Sequence, residues 1–258
     1  MATAKDIKVA PISAKDANAL VKRVHYSGKI VPNSQLHLGV FLNDRLEGVM
    51  QFGPSMDKRK VQGLVEGTGW NAFLELNRMA FSDQLPRNSE SRALSVAMRL
   101  IKKHYPHIEW IISFADGTQC GDGTIYRASG FVLTGIKKNA QILEMPDGTR
   151  IARKTLDNPQ HVGANGKFGS AVAKQNGAKP LNGFQLRYIY FINDDAKKRL
   201  TVPVLPFSKI DEAGASMYKG QKIKRPKLGD DCDQQHSGSA TLTRTLHSLH
   251  EVSHGKAS

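Results

Sequence analysis

An apolar run, Ile108-Glu-Trp-Ile-Ile-Ser-Phe114, stops at a loop that holds Asp116, Cys120, Asp122 and the glycines Gly117, Gly121 and Gly123. Order resumes in a short helical segment with Tyr126, which passes through Gly130 into Phe131. A buried strand is rigid and the loop beyond it is adaptable, so polar groups just past such a strand stand where scaffolds carry chemistry. The same residues also suit a solvated turn punctuated by glycine. The rest of the chain has to choose between the two.

Upstream, Ile7-Lys-Val-Ala-Pro-Ile-Ser13 predicts a short strand, and Ser13 with Asp16 three positions later marks a helix start. Ala17, Leu20, Val21 and Val24 recur at helical spacing, with Gly28 as terminator. Residues 36–52 alternate around Asn43-Asp44, the pattern of a β-hairpin. Residues 72–81 predict a strand with Phe73, Glu75, Asn77 and Met79 sharing one face. The next helix opens at Pro86, is capped by Asn88 or Ser89, and carries Ala93, Leu94, Ala97, Leu100 and Ile101 as its apolar stripe. A hairpin is expected around Pro146-Asp-Gly148, and residues 184–192 predict a strand with Phe184, Leu186, Tyr188 and Tyr190 on one side. This order describes an α/β domain with a mixed, mostly antiparallel central sheet flanked by helices.

Residues 157–183, rich in Gly, Asn and Lys, read as a long basic excursion. After residue 206 a basic run (Lys219, Lys222, Lys224, Arg225, Lys227) gives way to Ser, Thr, Gly and His. The expected organisation is therefore a catalytic domain over 1–206 and a basic, disordered tail over 207–258.

The net charge of +14 predicts attraction to polyanions, nucleic acid first. An acidic protein or a membrane surface would answer the same charge. Only two cysteines, Cys120 and Cys232, are present, which argues against a disulfide framework or a Cys-rich zinc site and suits a reducing compartment. No leader-like run begins the sequence and no window reaches the roughly 18 apolar residues of a membrane span, so a soluble protein of the cytoplasm is expected.

Two segments carry a family resemblance. Glu75-Leu-Asn-Arg-Met-Ala-Phe81 and Tyr126-Arg-Ala-Ser-Gly-Phe131 resemble the fourth strand and the Y-x-x-x-G-F segment of the Gcn-related N-acetyltransferase (GNAT) superfamily. That resemblance implies a GNAT-like N-acyltransferase fold whose tyrosine protonates a departing thiolate. A closer resemblance, over most of residues 20–190, is to the Mom DNA-modification proteins of Mu-like phages. It rests on His25-Tyr-Ser-Gly28, Gln51-Phe-Gly-Pro54, Glu75-Leu-Asn-Arg78 and the run from Phe114 to Tyr126. It implies carbamoylmethylation of the exocyclic amine of adenine in double-stranded DNA inside the host cell, protecting phage DNA from restriction. It further implies catalytic roles for His25, Tyr26, Asp116 and Tyr126, and a bound iron. If they converge, His25, Tyr26 and Asp116 would make a hard N/O site for it, although a His at a helix end more often caps carbonyls.

The residues support these roles in different degrees. Adenine's amine is a poor nucleophile, because its lone pair is delocalised into the ring, and Asp116 at a strand end would serve as its proton acceptor. An Asx-turn before Gly117 is the plainer use of Asp116, and packing on the sheet is the plainer use of Tyr126. Coenzyme A normally rests on a glycine-rich turn at a helix start. The matching stretch here, Leu85-Pro-Arg-Asn-Ser-Glu-Ser-Arg-Ala93, has no glycine, leaving Arg87, Asn88 and Ser89 as candidate anion ligands. The donor is therefore either acetyl-CoA or an activated glycyl unit such as an aminoacyl-tRNA. Lys58, Arg59, Lys60, Lys137, Lys138 and Arg153 are candidate phosphate contacts, and Trp70 a candidate stacking partner for an extruded base. Two rival functions remain: an ordinary acetyl-CoA-dependent N-acetyltransferase acting on a protein or small molecule, and a non-catalytic DNA-binding protein that blocks nucleases.

Overall fold

Strand β1 (Lys8–Pro11) leads into α1 (Ala14–Val24), then the meander β2 (Leu36–Leu42), β3 (Arg45–Gly53) and, after the one-turn α2 (Lys58–Gln62), β4 (Phe73–Phe81). Helix α3 (Ser89–His104) carries the chain to β5 (Trp110–Asp116), followed by α4 (Thr124–Ala128) and β6 (Val132–Asn139). A small insert holds β7 (Ile142–Glu144), β8 (Arg150–Ala152), α5 (Arg153–Leu156), α6 (Ser170–Gln175) and β9 (Lys179–Pro180). The chain returns through β10 (Gly183–Phe191), α7 (Asp194–Lys198) and α8 (Ser208–Glu212). The computed structural model describes residues 2–118, 121–158, 169–218 and 221–222. Among these, no helix is long and apolar enough to cross a membrane.

Local sequence chemistry accounts for the ends of several elements. The Ser13 hydroxyl accepts the Asp16 N–H at 3.1 Å and so caps α1. Asn43 and Asp44 both take positive φ, 50° and 58°, the backbone of the tight hairpin turn that matches the twist of β2 and β3. The Pro146-Asp-Gly148 turn likewise closes β7 against β8, with Gly148 at φ 81°.

The main sheet has the order β1-β2-β3-β4-β5-β10-β6. Only β4 and β5 run parallel, because the crossover between them is made by α3. They pair over just three positions, Phe73 with Trp110, Leu74 with Ile111 and Glu75 with Ile112. Beyond Glu75 and Ile112 the ladder stops, and the carboxyl ends of the two strands open into a cleft.

Side chains alternate across the sheet into two cores. Under α3, packed with its Leu94, lie Leu38, Met50, Phe52, Ile111, Leu186 and Tyr188. On the opposite face Val49 and Ala80 pack on α1, while Phe73, Trp110, Ile112 and Ile189 form a second cluster with Val61 and Ala196. Trp110 is fully buried, stacks on Phe73 at 4.5 Å and donates to Thr68 Oγ1 at 3.1 Å, which answers the one polar group that its burial would strand.

Three expectations are corrected or refined here. Gln51 pairs with Arg78 but Phe52 with Leu76, so Asn77 is the extra residue of a β-bulge. The bulge resets the alternation. Met79 therefore turns to the α3 side with Leu74 and Leu76, away from Phe73 and Glu75. At α3, Asn88 holds the N-cap position as expected, but in the left-handed conformation at φ 70° and without a side-chain capping bond, while Ser89 is fully buried. Nor does the folded body end at residue 206. Helix α8 buries Ile210 completely, and Ala215 is buried after it. The apolar period of this segment is too short to read from sequence.

Within the excursion at 157–183, the described residues form α6 and β9, and β9 joins β7 of the preceding insert. Strands β8-β7-β9 form a separate small sheet, and Leu143, Leu156, Ala173 and Ala178 make its own core. Asp157 ties the segment shut by accepting the Ser170 N–H at 2.7 Å. Residues 159–168, and the basic run from 219 apart from the short strand Gln221–Lys222, lie outside the described residues.

Candidate active site

The loop beyond β5 is built by backbone chemistry. Asp116 Oδ1 accepts the Thr118 N–H at 2.9 Å, and its carbonyl accepts the Gly121 N–H at 3.2 Å. The Gly117 N–H donates to the Phe184 carbonyl at 2.8 Å, fastening the loop to β10. Gln119 and Cys120 lie outside the described residues. Gly123 sits at φ 80°, and a Cβ there would stand 2.5 Å from the Tyr188 ring, so both conformation and space demand glycine.

Asp122 is buried beside this turn. Its carboxylate accepts from Thr124 Oγ1 at 2.8 Å and faces the Arg127 guanidinium at 3.5 Å, while its carbonyl accepts the Tyr188 hydroxyl. The Tyr126 ring lies between Tyr188 and Phe131, with centroids 5.2 and 5.3 Å away. Such aromatic contacts fix the plane of the ring and thereby the direction of its hydroxyl.

The cleft between the diverging strands holds a cavity of about 440 Å³. Its walls are Leu76, Asn77, Arg78 and Met79 of β4, Phe114 to Asp116 of β5, the turn from Gly121 to Tyr126, and His25 and Tyr26 beyond α1. All four residues expected to be catalytic, His25, Tyr26, Asp116 and Tyr126, thus line one space.

His25 is partly buried, and burial together with the nearby Arg78 cation lowers its pKa to about 4. The imidazole is accordingly neutral near pH 7. Its Nδ1 accepts the Ser27 N–H at 3.1 Å and lies 2.8 Å from Ser27 Oγ. A backbone N–H can only donate, so the ring proton belongs on Nε2. Tyr26 stands at the rim, 52% exposed, with its ring 4.2 Å from that of His25.

This donor set does not fit the iron implied by resemblance. Nδ1 of His25 is occupied by Ser27 and Nε2 carries the proton, so neither nitrogen offers a lone pair. Among the described residues no group of three or more His, Cys, Asp or Glu side chains is gathered that could hold a metal.

A second cavity, about 380 Å³, opens at the start of α3 and is lined by Arg87 and Asn88 among others. It shares Thr124 and Ile125 with the first, so the two spaces meet at the first turn of α4. Asn88 adopts the left-handed backbone that glycine would take elsewhere, as its short side chain permits. Ser89, expected as a ligand, is instead fully buried and absent from the lining.

The expected cations fall in three places. Lys137 pairs across the sheet with Gln185, and Gln185 with Asp116, which puts Lys137 and Lys138 about two strand spacings, roughly 10 Å, from the acid. Arg153 sits at the start of α5, bonded to Asp157 at 3.3 Å and Ser170 at 3.2 Å. This helix reaches the site, because Lys29 donates to Thr155 Oγ1 at 3.0 Å and the Lys29 carbonyl accepts from Arg78 Nε at 3.1 Å. Lys58, Arg59 and Lys60 lie on α2, with Lys60 paired to Asp57 at 3.0 Å. The Lys58 ammonium stands 4.5 Å over Trp70 and donates to Asn71, so one face of Trp70 is covered rather than open for stacking.

Sequence reasoning overlooked Arg78, Asn77, Lys29 and the Asp122–Arg127 pair. Arg78 and Asn77 lay in a motif already singled out, Glu75-Leu-Asn-Arg78, but only the bulge turns them both to the cavity. Glu75, next to them, has its pKa raised by burial, against the opposing pull of hydrogen bonds from Ser55, Asn77 and the Met56 N–H.

The Mom protein family matches residues 6–209. A curated relative, the methylcarbamoylase mom of Escherichia phage Mu, is 37% identical over 209 residues, covering 80% of this chain and 85% of its own length. Among solved structures, the ribosomal-protein-S18-alanine N-acetyltransferase of Escherichia coli covers 72% of this chain and 94% of its own, at a TM-score of 0.41 and 10% identity. A probable acetyltransferase of Staphylococcus epidermidis covers 72% and 98%, with a TM-score of 0.41 and 12% identity. Overlaps this loose bear no weight on function. The extent and identity of the sequence match decide the family: the chain belongs to the Mom protein family.

Proposed function

We propose that this protein transfers a carbamoylmethyl group to the exocyclic amine of adenine in double-stranded DNA. The observation that carries the reading is the single cavity lined by His25, Tyr26, Asp116 and Tyr126 at the split between β4 and β5. It is supported by the relative's printed activity and by the +14 charge. Asp116 accepts the proton of the amine with the carboxylate oxygen not given to Thr118. Tyr126 returns a proton to the leaving group, and the Nε2–H of His25 donates to the substrate. Adenine reaches the cavity by flipping out of the duplex, and Lys137, Lys138, Arg153 and Lys29 neutralise phosphates around the opening.

The donor is best matched by an activated glycyl ester, such as an aminoacyl-tRNA. Attack of the adenine amine on the glycyl carbonyl expels the ester alcohol and leaves a glycyl amide. That amide and the carbamoylmethyl product are isomers, so exchanging the positions of nitrogen and carbonyl needs no oxidant. An acetyl donor would require both a nitrogen source and a two-electron oxidation of its methyl carbon. The glycine-free start of α3 also lacks the turn on which coenzyme A pyrophosphate usually rests.

Mass analysis of nucleosides from the DNA of cells expressing this chain tests the main claim. Deoxyadenosine gaining the mass of a carbamoylmethyl group supports it, and an unmodified adenine pool beside soluble protein overturns it. Feeding isotope-labelled glycine tests the donor: label must appear in the modified base.

A further inference from the structure

We infer that Met56 is the wedge that enters the DNA stack when the target adenine leaves it. The inference rests on the reading of the protein as a duplex-DNA modifier. Met56 is 77% exposed, the most exposed large apolar side chain among the described residues. It does not sit on a loose loop. Ser55 beside it is buried, and the Glu75 carboxylate lies near the Ser55 hydroxyl and the Met56 N–H, both of which act to lower its pKa. Behind them Asn33 Nδ2 donates to the Pro54 carbonyl at 2.7 Å. An apolar side chain is thus presented to solvent from a backbone held at Pro54 and Ser55.

Position completes the argument. Glu75 lies two residues before Asn77, a wall of the active-site cavity, so the foot of the methionine is about 7 Å along β4 from that wall. Consecutive bases on one strand are spaced about 3.4 Å apart, so the separation is within about two base steps. Immediately after Met56, α2 carries the cations Lys58, Arg59 and Lys60. Methionine is long, unbranched and polarisable, and side chains of this kind are inserted between bases by proteins that distort the duplex. Of the exposed aromatics, Trp70 has Lys58 over its ring, Tyr105 is about half as exposed as Met56, and Tyr26 belongs to the cavity.

The test compares binding of the full chain to an intact duplex and to the same duplex with one abasic site, where the gap is already made. The wild type should bind the abasic duplex about tenfold more tightly, since no base has to be unstacked to admit the wedge. Met56→Ala should bind the intact duplex within about twofold of wild type yet lose the abasic preference, and Met56→Leu should keep it. A preference retained by Met56→Ala, or absent from the wild type, overturns the inference. Failure of the wild type to bind either duplex would overturn the DNA reading and the wedge with it. An abasic preference that depends on Met56, in a protein that leaves cellular adenine unmodified, would uphold the wedge and overturn only the chemistry.

Discussion

Nδ1 of His25 accepts the backbone N–H of Ser27 at 3.1 Å, which fixes the ring proton of His25 on Nε2, its other nitrogen. The relation makes His25 a neutral donor rather than a base or a metal ligand, and it has a consequence for pH. The folded-state pKa, about 4, lies below the ordinary 6.5, so the unfolded chain binds the proton more tightly. The contribution to stability is intact above pH 6.5 and is lost as pH falls towards 4. Imidazole NMR signals of His25 should show no titration near 6.5 and a midpoint near 4. A midpoint at 6.5 would remove the argument for a buried neutral ring.

Asp116→Asn separates the two uses of this residue. The asparagine carbonyl still accepts the Thr118 N–H, so the turn is kept, while the proton acceptor is lost. Adenine modification should fall by about 10²–10⁴ with the melting temperature nearly unchanged. Tyr126→Phe should lose activity on a similar scale while keeping its ring contacts to Tyr188 and Phe131.

Gly123→Ala is expected to fail by structure instead. The new Cβ would need a left-handed backbone and would press on the Tyr188 ring at 2.5 Å. A loss of about 2–4 kcal/mol is expected, read as a lower denaturant midpoint.

Replacing Lys137 and Lys138 together by Gln removes two cations set about two strands from Asp116. If both meet phosphates, the slope of log affinity against log salt should become shallower by about 2. An unchanged slope would place the duplex elsewhere.

Much of the architecture was decided by neighbours in sequence. The Ser13 cap, the positive-φ turn at Asn43-Asp44, the apolar stripe of α3 and the apolar run of β5 each depend on residues within about a turn of one another, so their physics can be read along the chain. The loop after β5 was legible as a site for the same reason, because strand end, glycines and Tyr126 follow one another closely. What tertiary structure alone decided are the relations across long separations. The bulge at Asn77 exists only against β3, and it turns Met79 to the side of Leu74 and Leu76. The burial of Ser89 and Ile210, the Lys58–Trp70 contact and the reach of Lys29 to Thr155 arise from packing between distant segments. The tautomer of His25 is local and yet was not legible, because it depends on how the chain turns after α1. Composition and periodicity measure what a residue prefers; which groups meet, and which of their hydrogen-bonding capacity is already spent, is settled only when the sheet brings them together.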